Sequence, residues 1–265
     1  VAELPEHTDE RTSTAADLVG SRNGPNAVAA RAVTMLSPPR AEPPRVVPEE
    51  GTSGPNPARS LPSTPRKVPT EVLRARAYLS RVAEPPAPAL AALIDEVGPV
   101  EAAARVYAGR IEQPVAVETS SRRAAYRPDA DLATAVAAGV RLVTPEHDEW
   151  PTEAFTAFAM AETAELTAPI ALWVRGPGRL HELCAQAVAV IGSRAATAYG
   201  ARMAGELGAG IAERGWTVVS GGAIGVDGAA HRGALAVRGP TIAVLACGAE
   251  LTYPRAHQEL LERIA

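Results

Sequence analysis

The chain has 265 residues, which is enough for one large or two small domains, and its formal net charge is −4. Aromatic residues make up only 4% of the sequence, so Leu, Val, Ile and Ala must fill any core. The negative net charge excludes a uniformly basic surface, so any nucleic-acid binding requires a local basic patch. Such a patch is favoured from Arg175 onward, where nine arginines, Arg175 included, stand against seven acidic residues.

The cysteines, histidines and apolar runs argue against a metal site, a cofactor and a membrane segment. Cys184 and Cys247 are too far apart for a C-x-x-C pair, and the histidines lack zinc-ligand spacing, so we expect neither a metal site nor a cofactor. Apolar runs such as AVAVI and TIAVLA are strand-sized, and the first residues show no basic-then-apolar leader pattern. We therefore expect a reduced, cytoplasmic protein with no membrane segment.

Residues 1–69 differ in composition from the rest of the chain. They hold half of the 24 prolines, contain no aromatic residue and show no apolar period. Such a segment cannot bury enough apolar surface to offset the entropy lost on ordering. The sequence therefore predicts a disordered, proline-rich tail over 1–69.

Residues 70–112 show helical periodicity. EVLRARAYLSRVA places apolar residues three and four apart, at Val72, Ala75, Leu79 and Val82. ALAALIDEVGPVEAAARVYAG predicts two helices joined by a tight turn at Gly98-Pro99. EVGPVEAA resembles a helix-hairpin-helix, and this resemblance implies a small domain of the helix-hairpin-helix or SAM-like type. The turn of such a hairpin contacts the DNA backbone, but Val100 replaces its second glycine, which favours a packing role.

Residues 113–265 alternate strand-sized apolar runs with helical periods. The predicted strands are Val140–Thr144, Pro169–Gly176, Ala187–Ile191, Trp216–Ser220 and Thr241–Ala246. Helices are predicted at Tyr199–Arg214, at Gly228–Arg238 and from about Arg255. This order is typical of an α/β fold with a Rossmann-like, doubly wound parallel sheet. The acidic run EHDEW (146–150) is interpreted as a solvated loop.

Three loops should meet at the carboxyl edge of this sheet: GSRAAT (192–197), SGGAIGVD (220–227) and CGAELTYPRA (247–256). Glycines let a ligand approach the backbone amides, helix N-termini favour anions, and arginine offers phosphate a bidentate donor. The predicted phosphate-binding residues are Gly192, Ser193, Arg194, Ser220, Gly221, Gly222 and Gly225. Asp227 is predicted to cap the following helix.

Other interpretations of this edge remain open. The glycines could merely serve tight turns between strand and helix. The first loop lacks the G-x-G-x-x-G of dinucleotide folds, and no G-x-x-x-x-G-K-[ST] is present, so NAD and ATP are poorly supported. Cys247 has no base nearby in sequence, so we expect no catalytic residue.

The three segments AVAVIGSRAATAYG, VVSGGAIGVDGAAHRGAL and TIAVLACGAELTYPRAHQELLERIA resemble, in order, the signatures of the DNA-processing protein A family (DprA, also called Smf). The resemblance implies a non-enzymatic protein that binds single-stranded DNA in a phosphate-accepting pocket. It also implies delivery of that DNA to the RecA recombinase in natural transformation, and a homodimer. His231 falls in the family's D-x-x-A-H pattern, and we expect it, like Asp227, to be structural.

Two further expectations follow from the resemblance. The family continues beyond the residue equivalent to Ala265, so we expect a C-terminally truncated member with an incomplete sheet. In such a sheet the strand TIAVLA would be an exposed edge or would have an uncovered face, with Val244 and Leu245 facing water or another chain. The alternative function is a Rossmann-like nucleotide-processing enzyme of the phosphoribohydrolase type, although the second loop lacks the Pro, Thr and Glu of that chemistry.

Overall fold

The computed structural model of the chain describes residues 33–36, 67–160, 167–248 and 251–265. For 33–36 the backbone alone is described. The helices in these ranges are α1 (Thr70–Val82), α2 (Pro88–Ala108), α3 (Gln113–Thr119), α4 (Pro128–Ala137), α5 (Thr152–Met160), α6 (Leu180–Cys184), α7 (Ala198–Glu213), α8 (Val226–Ala236) and α9 (Gln258–Ile264). Short 3-10 turns cover Ser120–Arg122 and Arg255–His257.

The strands of the described ranges form one mixed sheet of six. They are β1 (Val33–Leu36), β2 (Val140–Val143), β3 (Leu172–Arg175), β4 (Ala187–Ala189), β5 (Thr217–Ser220) and β6 (Thr241–Leu245). Their spatial order is β2-β3-β1-β6-β5-β4. β4, β5 and β6 are mutually parallel, as the sequence predicts. The α/β, Rossmann-like fold class is thereby confirmed.

Strand β1 has no counterpart among the predicted strands. It pairs in parallel with β3 and antiparallel with β6, so it occupies the middle of the sheet. β6 is consequently an interior strand, and the prediction that it forms an edge is wrong. Leu245 is buried at 4% exposure, while Val244 is 42% exposed. For the other residues of 1–66, disorder stays a prediction, because they lie outside the described residues.

Helices cover both faces of the sheet. On one face, Val218 of β5 packs with Ala212 of α7 and Ala230 of α8. Farther along that face, Trp173 and Leu245 pack with Leu261 of α9. The opposite face forms a separate core, whose members are Val143, Trp150, Leu172, Val174, Leu180, Leu183 and Ile242.

Helix α1 is buried on more sides than its apolar stripe predicts. Arg76 and Arg81 are buried, and each meets a carboxylate distant in sequence. The Arg76 Nη2 donates to Glu146 at 2.6 Å, and the Arg81 Nε donates to Asp131 at 2.6 Å. Burial raises the pKa of Glu146, but the hydrogen bonds from Arg76 and Thr144 and the charge of Arg76 together outweigh it, so the pKa is lowered overall. The interpretation of 146–150 as a solvated loop is therefore wrong at this residue.

Helix α2 contains the predicted hairpin. Gly98, with φ 79°, interrupts the helical geometry immediately before Pro99, so the helix bends there. Glu118 caps the start of α2, since its carboxylate accepts hydrogen bonds from the amides of Ala89 and Leu90 at 3.0 and 2.8 Å. Val100, the residue that replaces a second glycine, is 45% exposed.

Small residues allow α7 and α8 to approach closely. A Cβ added to Gly208 would lie 2.3 Å from the carbonyl oxygen of Ala230. A Cβ added to Gly233 would lie 2.0 Å from the carbonyl oxygen of Gly205. Neither distance is compatible with a methyl group, so these glycines fix the spacing between the helices that follow β4 and β5.

Two structural absences can be stated for the described ranges. No helix there combines the length and apolar character that a membrane crossing requires. No group of three or more His, Cys, Asp or Glu side chains in the same ranges is arranged to hold a metal ion.

Gly208→Ala should destabilise the protein, because the added methyl group would force α7 and α8 apart at the Ala230 carbonyl. Overpacking of this kind costs about 1–3 kcal/mol. The free energy of unfolding, measured by urea denaturation, should fall by that amount.

Gly210→Ala in the same helix is the matched control. Its nearest neighbour is the flexible end of Arg214, 3.4 Å from the added Cβ. Alanine is favoured over glycine inside a helix by about 0.8–1.0 kcal/mol, so this variant should be at least as stable as the parent chain. If Gly208→Ala were equally well tolerated, the close helix contact would be wrong.

Candidate functional site

The three predicted loops meet at the carboxyl edge of β4, β5 and β6, where they surround a cavity of about 590 Å³. Each loop contributes lining residues, for example Arg194 from the first, Ile224 from the second and Tyr253 from the third. This volume is within the range of small-molecule sites. The edge therefore has room for a ligand about the size of a nucleotide.

The first two loops contact each other directly. The amide of Val226 donates to the Ser193 carbonyl at 3.1 Å. A Cβ added to Gly225, whose φ is 95°, would lie 2.2 Å from that same oxygen. A Cβ added to Gly192 would lie 2.9 Å from the side chain of Val226. Gly192 and Gly225 thus allow one loop to approach the other.

Arg194 is the cation of the site. Its side chain is exposed and lines the cavity, and within the described ranges it has neither a hydrogen bond nor an ion pair. The neighbouring Ser193 is also exposed, but its hydroxyl accepts a hydrogen bond from the amide of Ala195 at 3.1 Å. The Arg194 guanidinium is therefore free to bind an anion at the mouth of the cavity.

Of the other predicted residues in the second loop, some are buried and support the loop, and one lines the cavity. Ser220 is buried and donates to the Val190 carbonyl at 2.6 Å, so it joins β5 to the end of β4. Gly221 is exposed and lines the cavity. Gly222 is buried beneath it with φ 71°, a backbone conformation that favours glycine.

Asp227 and His257 hold the second loop from below. The buried Asp227 carboxylate accepts a long hydrogen bond of 3.4 Å from the amide of Ala223, so it holds the turn that precedes α8. The prediction that it caps the helix is wrong, because Gly225 is the N-cap of α8 and Asp227 lies within the first turn. His257 is also buried, and its Nδ1 lies 2.9 Å from the carbonyl oxygen of Gly222. A Cβ added to Gly228 would lie 2.3 Å from the His257 ring, so α8 carries a glycine there.

His231 lies in the core beneath the site. The Thr241 hydroxyl donates to the Val218 carbonyl at 2.8 Å, so His231 must donate its Nδ1 hydrogen to that hydroxyl at 2.7 Å. Its Nε2 is buried and has no hydrogen-bond partner among the described residues. Burial lowers the pKa of His231 to about 4, so the ring is neutral at physiological pH.

The apolar wall of the cavity was not among the predicted site residues. Tyr253 is 67% exposed and Ile224 51%, and both line the cavity beside Val244. Cys247 also lines it, with its Sγ 3.3 Å from the Leu251 carbonyl. The sequence signal that could have identified Tyr253 is its position as a large aromatic residue in a loop that follows a strand. That signal is not decisive, because a tyrosine in such a loop can equally be buried in the core.

Comparisons with known proteins give a consistent picture. The family model described as DNA recombination-mediator protein A matches residues 141–265. Over 195 residues the chain is 53% identical to a DNA processing protein DprA of Mycobacterium tuberculosis, covering 72% of this chain and 50% of that protein. It is 46% identical over 92 residues to the protein Smf of Escherichia coli, covering 35% of this chain and 24% of that protein.

A solved structure shares the fold. The X-ray structure of DNA processing protein A from Streptococcus pneumoniae superposes with a TM-score of 0.51 at 24% identity, covering 74% of this chain and 64% of that chain. The chain spans about half the length of the mycobacterial relative it matches.

His231→Gln should remove part of the pH dependence of stability. The folded-state pKa of about 4 lies below the ordinary value of 6.5, so the unfolded state binds the proton first as the pH falls. The stability associated with the neutral ring is present above pH 6.5 and is lost between pH 6.5 and 4. With about 1.4 kcal/mol per pKa unit, the loss is about 3 kcal/mol. Urea denaturation across this pH range measures it.

The comparison concerns the slope against pH and not the stability at one pH, because glutamine also alters the packing. His181→Gln is the control, since that side chain is 40% exposed and the same substitution there keeps His231 in the core. Equal slopes for His231→Gln and the parent chain would show that His231 is not the buried neutral group.

Proposed function

The chain belongs to the DprA/Smf family of DNA-processing proteins, and from that membership we propose that it binds single-stranded DNA at the cavity between Arg194 and Tyr253. The observation that carries the proposal is that an exposed arginine, without an ionic partner in the described ranges, and an exposed aromatic ring line the same cavity. A nucleotide presents the matching groups, a phosphate and a base.

Phosphate recognition is supported by the position of the helices as well as by Arg194. Helices α7 and α8 both begin at this edge, after the first and second loops, so their positive ends face the same region. Arginine binds phosphate oxygens in a bidentate manner. Such contacts read the DNA backbone and carry no sequence information.

Base contact is supported by the third loop. The Tyr253 ring is largely exposed, and Ile224 extends the apolar lining of the same cavity. Stacking on aromatic side chains tolerates every base, and it requires bases that are not paired in a duplex. The cavity therefore favours single strands of mixed sequence.

Binding is favoured over hydrolysis by the composition of the cavity. Among the lining residues that the structure describes, none carries a carboxylate that could activate water or a ribose hydroxyl. The nearby Asp227 is buried and already accepts a hydrogen bond from its own loop. These observations support a DNA-binding protein over a phosphoribohydrolase-type enzyme.

Arg194→Ala should weaken binding of single-stranded DNA by about 1–3 kcal/mol, the scale of one lost charge-assisted contact. The melting temperature should barely change, because the side chain is exposed and makes no contact that supports the fold. Fluorescence anisotropy with a labelled mixed-sequence oligonucleotide measures the affinity, and repeating it at several salt concentrations tests for counterion release.

Arg179→Ala is the matched control, because Arg179 is half-exposed but does not line the cavity. It should bind as the parent chain does. Normal binding by Arg194→Ala would contradict the assignment of the site, and equal or tighter binding of duplex DNA would contradict the proposed ligand.

We also propose that the bound strand is passed to the RecA recombinase during natural transformation, in keeping with a family described as a recombination mediator. Adding the chain should shorten the lag before RecA hydrolyses ATP on single-stranded DNA covered by a single-strand-binding protein. Arg194→Ala should restore the lag in proportion to its lost affinity. A lag that the parent chain does not alter would refute this role while leaving DNA binding intact.

A further inference from the structure

Three tyrosines form a cluster of rings in mutual contact on the helical part of the chain, remote in sequence from the three loops. Tyr78 of α1 is fully buried, whereas Tyr107 is 55% and Tyr126 49% exposed. The ring centroids of Tyr107 and Tyr126 are 4.8 Å apart, and those of Tyr78 and Tyr126 are 4.9 Å apart. The Tyr78 ring meets Tyr107 edge-on at 6.2 Å. Two half-exposed rings therefore rest on a buried third one.

The buried ring fixes the position of the outer two. The Tyr78 hydroxyl donates to the Arg123 carbonyl at 2.8 Å, which ties α1 to the turn before Tyr126. Burial raises the pKa of Tyr78 to about 12, so this donor keeps its proton at physiological pH. The outer rings are thus held in place before any ligand arrives, which reduces the entropy lost on binding.

Positive charge surrounds the exposed rings. The Arg123 guanidinium lies over Gly109, where an added Cβ would be 3.0 Å from its Nη1. Within the described ranges the Arg123 side chain has no hydrogen bond or ion pair, and it is exposed. Arg127, beside Tyr126, reaches the Asp131 carboxylate only at 3.5 Å, and Arg81 already binds that carboxylate.

The nearby acidic side chains do not offset this charge. Asp129 pairs with Arg74 at 2.6 Å, and Glu101 pairs with Arg105 at 2.8 Å. Of the five arginines in residues 105–127, Arg105 and Arg127 form ion pairs, whereas the other three, Arg110, Arg122 and Arg123, have none among the described residues. Exposed aromatic rings among unneutralised arginines are the combination that binds single-stranded nucleic acid, through base stacking and phosphate contacts. A duplex would offer phosphates but no free base faces.

We propose that Tyr107 and Tyr126, with Arg123 and Arg127, form a second contact surface for single-stranded nucleic acid on the helical part of the chain. This tyrosine-arginine surface shares its ligand class with the proposed function but depends on different residues. It extends the path of the strand beyond the cavity or binds a strand by itself.

The test compares two double variants of the full chain. Tyr107→Ala/Tyr126→Ala should weaken binding of an oligothymidylate at least about fivefold, because one stacked base alone is worth about that factor. Tyr107→Phe/Tyr126→Phe keeps both rings and should bind within twofold of the parent chain. Val117→Ala is the control, because Val117 is 69% exposed on the same part of the chain but lies outside the cluster.

Two measurements keep the result clear if the alanine pair disturbs folding. Arg123→Ala leaves the rings in place and should reduce the slope of affinity against salt by about one counterion. Oligonucleotides that contain bromodeoxyuridine should crosslink under ultraviolet light to Tyr107 or Tyr126 of the parent chain, which peptide mapping detects.

All variants are measured both with Arg194 present and with Arg194→Ala. Failure of the proposed cavity site can then be distinguished from failure of the proposed tyrosine-arginine surface. If only the cavity is wrong, Arg194→Ala changes nothing while the alanine pair still loses affinity. If both double variants bind the oligonucleotide as the parent does and no crosslink maps to these tyrosines, the surface serves a protein partner or none, and the inference is overturned.

Discussion

The candidate site depends on one close contact, that of Gly225 with the carbonyl oxygens of Ser193 and Arg194. A Cβ at residue 225 would lie 2.2 and 2.7 Å from these two oxygens, so no other residue fits without moving a loop. The contact holds the loop after β5 against the loop after β4, and Arg194 is carried on the second of these. Its guanidinium is thereby placed beside the cavity, while the side chain itself makes no hydrogen bond or ion pair in the described ranges. The rigidity of the site comes from the backbone, and its charge comes from a free side chain.

Buried ion pairs fix a second relationship, between the helical part of the chain and the sheet. Arg76 of α1 binds Glu146, in the turn after β2, and Arg81 binds Asp131 at the start of α4. Breaking a buried pair leaves an uncompensated charge, which costs far more than the pair itself contributes. These pairs therefore specify where α1 sits more than they stabilise it. Because Tyr78 lies on the same helix between the two arginines, they also set the position of the tyrosine-arginine surface.

The sequence predicted the elements that are encoded locally and missed those that depend on distant partners. β4, β5 and β6 follow from short apolar runs that end in glycine-rich turns, and they lie where the runs predict them. β1 is a four-residue strand within a proline-rich stretch, and only its pairing with β3 and β6 distinguishes it from its surroundings. The burial of Arg76 and the meeting of Tyr78 with Tyr126 likewise require contacts across 70 and 48 residues of sequence. Periodicity within one helix carries no information on either.

The glycine pattern shows why a site is harder to predict than a fold. A glycine in a loop indicates that some group approaches the backbone closely, but it does not identify that group. At Gly192 and Gly225 that group is the neighbouring loop, while Gly221 lines the cavity. The Ser220 hydroxyl likewise donates its hydrogen bond within the protein, to the Val190 carbonyl. Arg194 and the exposed Tyr253 are among the cavity residues that the fold does not use for its own support. Only the three-dimensional structure distinguishes such residues from the supporting ones around them.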